Sequence, residues 1–132
     1  LCGGLTAAGT AVLAGWSLGA SDGTLLSLAP KSVTTPIAMG VAEALGGLPS
    51  LTAVLVILTG IVGAIAGPAV VRLVGVCDAA AQGVALGTAG HGIATARAFQ
   101  DSDTAGAFAG LAMGLNGLAT AILLPLLATA LF

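Results

Sequence analysis

The chain has 132 residues, 58% of them hydrophobic and only 6% charged, with a net charge of −2 and a mean hydropathy of +1.15. A soluble domain carries about a quarter charged residues, so this composition excludes a water-soluble surface. It also excludes a nucleic-acid partner, whose phosphates require clustered Lys and Arg. Cys2 and Cys77 are too few and too isolated for a disulfide framework or a metal site, and no cofactor is expected.

Three stretches reach the roughly 20 apolar helical residues needed to cross a hydrocarbon core of about 30 Å: Leu1 to Ser21, Leu51 to Leu73 and Thr104 to Phe132. The expected fold class is therefore an all-α integral membrane protein with three long spanning helices, forming a single membrane domain over residues 1–132. The chain opens on Leu1 inside an apolar run and reads as the C-terminal part of a longer protein. No basic region or small-residue cleavage pattern precedes that run, so a cleaved signal peptide is not expected.

In chain order, Leu1 to Ala20 reads as a helix carrying Gly15-x-x-x-Gly19 and stopped by Ser21-Asp22-Gly23. Thr24 to Gly47 contains Pro30 and Pro36 on either side of Lys-Ser-Val-Thr-Thr. Proline removes a backbone donor and disfavours helix at the residue before it, which predicts two short arms around an irregular tip. Gly46-Gly47-Leu-Pro49-Ser50 is a turn, with Ser50 expected as N-cap of the next span. That span contains Gly63-x-x-x-Gly67 and then Pro68, expected to kink or end the helix near Ala64 to Gly67.

Arg72 and Asp78 mark a water-facing boundary. Ala79 to Gln100 again predicts two arms around a tip, Gly87-Thr-Ala-Gly90-His91-Gly92. Each of its glycines weakens a helix by about 1 kcal/mol relative to alanine, so unwinding is expected there. Asp101-Ser102-Asp103 is a solvated turn that starts the last span, which carries Gly106-x-x-x-Gly110-x-x-x-Gly114 and ends near Pro125. Small-residue repeats of this kind let membrane helices approach closely.

The two tips form an internal repeat. Ser32-Val-Thr34-Thr35-Pro36-Ile37-Ala38 aligns with Thr88-Ala-Gly90-His91-Gly92-Ile93-Ala94, and the same offset pairs Leu55 with Leu111. The repeat units are about 1–50 and 51–106, with 104–132 as a closing helix. Interrupted hydrophobic segments at matching positions point to the binding site of a secondary transporter. If each broken segment enters and returns on one side, the two units are inverted and their tips meet near the midplane; if both cross fully, the units are parallel. The re-entrant, inverted version is the expected one.

Irregular backbone in a membrane is tolerated only where protein or a wet cavity satisfies it. The expected substrate-binding residues are therefore Lys31, Ser32, Thr34, Thr35, Thr88, Gly90, His91, Gly92, Thr95 and Arg97. Arms starting at Pro36 and Gly92 would aim amide groups at that site and favour a carboxylate or phosphate. His91, the only histidine, is the candidate for proton coupling; the alternative is a neutral ring held by a neighbouring carbonyl. Lys31 either neutralises an anion or reaches to the interface, and Arg97 faces either an anion or headgroups. Glu43, Arg72, Asp78, Asp101 and Asp103 read as solvated boundary charges. No phosphate loop, dinucleotide loop or nucleophile elbow is present, so catalysis is not expected.

The runs Pro30-Lys-Ser-Val-Thr-Thr-Pro36-Ile-Ala-Met39, Gly46-Gly-Leu-Pro-Ser-Leu-Thr52-Ala and Ala85-Leu-Gly-Thr-Ala-Gly-His91-Gly-Ile-Ala-Thr-Ala-Arg97-Ala closely resemble the LrgB/CidB membrane family. The resemblance runs from about Leu25 to the C-terminus. Family members often have Ser at position 90 and Gly at 94, where this chain has Gly90 and Ala94; His91 and Arg97 are in place. The resemblance implies a multi-pass protein of the bacterial plasma or inner membrane, with one of two roles. One is carriage of a small carboxylate such as glycolate, glycerate or pyruvate. The other is antiholin-like regulation of murein hydrolase export and cell lysis with a small holin-like partner. Homo-oligomers fit either role. Cationic and hydroxyl groups on paired broken segments favour the monocarboxylate carrier, and a subunit that only packs would tolerate replacement of His91 and Lys31.

Overall fold

The computed structural model describes the backbone of residues 2–131 and the side chains of residues 2–127; the expected span ends at Leu1 and Phe132 lie outside the described residues. Six helices follow one another: α1 Cys2–Ser17, α2 Asp22–Leu28, α3 Thr35–Ala44, α4 Pro49–Leu73, α5 Ala79–Asp101 and α6 Asp103–Leu131. Among the described residues there is no strand. Helices α4 and α6 are long and apolar enough to cross a membrane. Their apolar side chains mostly face outward: Ile65 is 77% exposed, and Val62, Leu115 and Ile122 are also exposed. What is buried is small, as in the cluster of Leu86, Ala94, Ala98, Ala105 and Ala109 between α5 and α6.

Helix α5 is two helices joined at one residue. His91 has φ 42° and ψ −134°, outside any helical conformation, and the chain reverses there. Before the break, Gly83 lies against the Ala105 carbonyl and Gly87 against that of Ala109, so this arm (79–90) runs parallel to α6. After it, Thr95 reaches Met113 and Phe99 reaches Gly106, so the second arm (92–101) runs antiparallel to α6. Against α4 the first arm is antiparallel, with Gly67 facing Leu86, Gly63 facing Gly90 and Gly60 facing His91. The break thus sits level with Gly60 and Asn116, each close to the middle of its long helix.

A second reversal joins α2 to α3. Pro30 is buried in the irregular stretch between them, and Pro36 lies in the first turn of α3, where its missing N–H costs nothing. After α3 the chain returns to α2: Gly47 packs on the backbone of Leu26 and Ser27. The Leu48 amide donates to Ser27 Oγ at 2.8 Å, and the Thr52 hydroxyl donates to the Ser27 carbonyl at 3.1 Å. The turn between the arms is anchored by Val33, Ala38 and Val56, all buried, and Ile37 reaches Gly117 on α6. Helix α1 starts beside Thr88 and Asn116, through Gly3 and Gly4, and packs Gly15 on Leu25 and Leu28.

Several expectations need adjustment. The first span is helical only over Cys2–Ser17, about 24 Å at 1.5 Å per residue, so the long spans observed are two. Gly19 is not a packing glycine; its φ of 75° ends α1 in the left-handed conformation that glycine adopts without penalty. Pro68 neither stops α4 nor unwinds it, since the helix runs on to Leu73. That span begins at Pro49 with Leu48 as N-cap, not Ser50. The glycines at 87 and 90 leave the first arm of α5 helical, because each lets another backbone come close, and only His91 leaves helical geometry.

Candidate binding site at the paired tips

Both broken segments converge on one polar layer. His91 is 4% exposed, and its Nε2 lies 2.9 Å from the carbonyl oxygen of Val56 on α4. A carbonyl only accepts, so Nε2 carries the proton and Nδ1 is the ring atom that gains or loses one. Gly60 makes this possible, since a Cβ there would come within 2.7 Å of the His91 ring. One turn away, a Cβ on Gly63 would come within 3.0 Å of the Gly90 Cα, so no side chain fits there and the reversal is seated on a bare strip of α4.

The first tip reaches the same layer from the other reversal. Ser32 is buried, and its hydroxyl lies 3.5 Å from the half-buried Lys31 Nζ. Thr34 is the N-cap of α3 but its side chain makes no capping bond, and Thr35 opens that helix, so both hydroxyls lie at the start of a helix whose amides face the tip.

Between the tips stands Asn116, which the sequence reading missed. It is 6% exposed, and its Nδ2 donates to the Ser32 carbonyl at 3.1 Å and to the Thr88 carbonyl at 3.5 Å. Its signal was legible, as the lone carboxamide in a long apolar span, at the position the repeat pairs with Gly60. It also walls two spaces: a cavity of ≈ 20 Å³ beside Pro30, Ser32 and Thr120, and an open apolar groove of ≈ 630 Å³ along α5 and α6 that includes Thr88 and Phe108.

The remaining expected residues divide. Gly90 is buried against α4, and Gly92 faces Met113 at the start of the second arm. Thr95 is buried one turn beyond His91, with its hydroxyl 3.9 Å from Met113 Sδ. Arg97 is held away from the tips by Asp101, 3.0 Å distant on the same helix. Among the described residues, no three His, Cys, Asp or Glu side chains gather where a metal ion could be held.

The sequence pattern of the LrgB-like family matches residues 1–130. The chain belongs to the LrgB-like family. It is 44% identical over 118 residues to the uncharacterized protein YwbG of Bacillus subtilis, covering 89% of this chain and 52% of that one. To the holin-like protein CidB of Staphylococcus epidermidis it is 33% identical over 109 residues, covering 83% and 48%. To the protein of the same name from Staphylococcus aureus it is 31% identical over 111 residues, covering 84% and 48%. The chain therefore spans about half the length of the curated relatives it matches. No solved structure matches it. Family membership together with two long, outward-facing apolar helices makes this LrgB-like chain a helical protein of the membrane type.

Proposed function

We propose that this LrgB-like chain supplies the binding layer of a multi-pass carrier for a small monocarboxylate, such as glycolate, glycerate or pyruvate, in the bacterial plasma or inner membrane. The observation that carries this reading is the meeting of both tips, with Lys31, Ser32, Thr88 and His91, beside Asn116 and halfway along α4 and α6. A half-buried cation, hydroxyls and helix starts around one point suit a carboxylate. His91 Nδ1 is the proposed site of proton coupling.

In this reading the two reversals are re-entrant hairpins, one from each side of the membrane, and the chain is an inverted repeat of units about 1–50 and 51–106. The run directions support it. Hairpin α2–α3 closes at the start of α4, whereas the hairpin in α5 opens beyond the end of α4 and closes at the start of α6. Arg97, paired to Asp101, serves the return of the second hairpin, with anion contact confined to a state in which that pair opens.

The second reading is regulation of murein hydrolase export and lysis with a small holin-like partner, favoured by the holin-like naming of the staphylococcal relatives. Uptake of labelled glycolate, pyruvate and lactate by the intact protein in liposomes separates the two. The carrier requires saturable uptake of at least one of them, reduced roughly tenfold or more by Lys31→Ala and by His91→Ala, the worth of a charge-assisted contact. No saturable uptake leaves the regulator; undiminished uptake by both variants removes the site assignment.

A further inference from the structure

We infer that Asn116 is a positioning residue that latches the two tips together and forms part of the wall between the small cavity and the groove. Three observations converge on it. Its Nδ2 is shared between the carbonyl of Ser32 in one broken segment and that of Thr88 in the other, elements 56 residues apart that no other side-chain hydrogen bond among the described residues joins through a common partner. Asn116 lines both spaces, the ≈ 20 Å³ cavity with Ser32 and Thr120 and the ≈ 630 Å³ groove with Thr88. Its Oδ1 lies against Gly4 of α1, where any Cβ would displace it. Glycine at 4 therefore leaves room for the carboxamide on its third side.

A carboxamide suits a latch better than a charge would. It satisfies two carbonyls with two N–H groups, and carries no charge into an apolar span, where a charge is costly. The bond to Ser32, at 3.1 Å, is of ordinary length and the one to Thr88, at 3.5 Å, is long, so both can be given up when the tips separate. In the carrier reading, on which this consequence rests, the latch marks the occluded state, and its opening joins the cavity to the groove.

The test is accessibility, which needs no transported substrate and so stands or falls apart from the carrier reading. In intact protein carrying Cys2→Ser and Cys77→Ser, a single Thr120→Cys is reacted with a small water-soluble methanethiosulfonate. Adding Asn116→Ala, or Gly4→Ala to push the carboxamide aside, is expected to raise its reaction rate roughly five- to thirtyfold, the population shift from losing one or two hydrogen bonds of ordinary net strength. A cysteine placed instead at Ala64, which packs on the separate α5–α6 cluster, should react at an unchanged rate. No increase at Thr120→Cys with either variant, or an equal increase at Ala64→Cys, would overturn the latch.

Discussion

At φ 42° and ψ −134°, His91 holds a backbone conformation that a β-carbon resists, and such strain persists only where surrounding contacts over-determine it. Here those contacts are the Val56 carbonyl and the bare surface of Gly60 and Gly63. Two variants separate backbone from ring. Both His91→Gly and His91→Ala lose the imidazole, but only glycine relieves the strain, so His91→Gly should be more stable than His91→Ala by about 1 kcal/mol and unfold at a higher temperature. Thermal unfolding in detergent measures this, and equal stability would show the backbone there to be unstrained. The histidine was legible as a site residue from its solitude in an oily chain; its strain was not, because positive φ at a non-glycine residue comes from tertiary contacts.

Helix packing at the level of elements depends on which glycines face a neighbouring backbone. Gly83 and Gly87 of α5 lie against carbonyls of α6, whereas Gly110 and Gly114 of the anticipated repeat in α6 face open space. Gly87→Ala should therefore cost about 1–3 kcal/mol, the usual range for overpacking, because backbone cannot step aside. Gly110→Ala should be neutral or slightly stabilising through helix propensity. Chemical or thermal unfolding of the two variants compares them directly, and similar losses would contradict the packing described. Spacing alone revealed that glycines pack helices in this chain. It could not reveal which ones, since Gly83-x-x-x-Gly87 lies in a segment read as a broken arm and its partner on α6 is 22 residues away in sequence.

Across the whole molecule, the broken segments were legible from Pro30 and Pro36 around the first tip and from the glycine-rich run around the second, although at the second tip the break itself falls on His91 and the glycines beside it serve close packing. The long helices α4 and α6 were legible from apolar length, and Pro68 misled because a proline within a long helix is tolerated when neighbours pack around it. Asn116 was visible as a lone carboxamide in its span, but its role depends on two carbonyls far away in sequence, Ser32 and Thr88. Arg97 was drawn toward the site by helical distance from His91, while Asp101, one turn on, claims it. The central claim is that two chain reversals enter from opposite sides and meet at one layer. Single cysteines at Asp22, Glu43, Asp78 and Asp101, all exposed at the ends of the arms, test it most directly in oriented vesicles of the intact protein. An impermeant thiol reagent should reach Asp22→Cys and Glu43→Cys from one side only, and Asp78→Cys and Asp101→Cys from the other side only. Labelling of Asp22→Cys and Glu43→Cys from opposite sides, or of Asp78→Cys and Asp101→Cys from opposite sides, would contradict it.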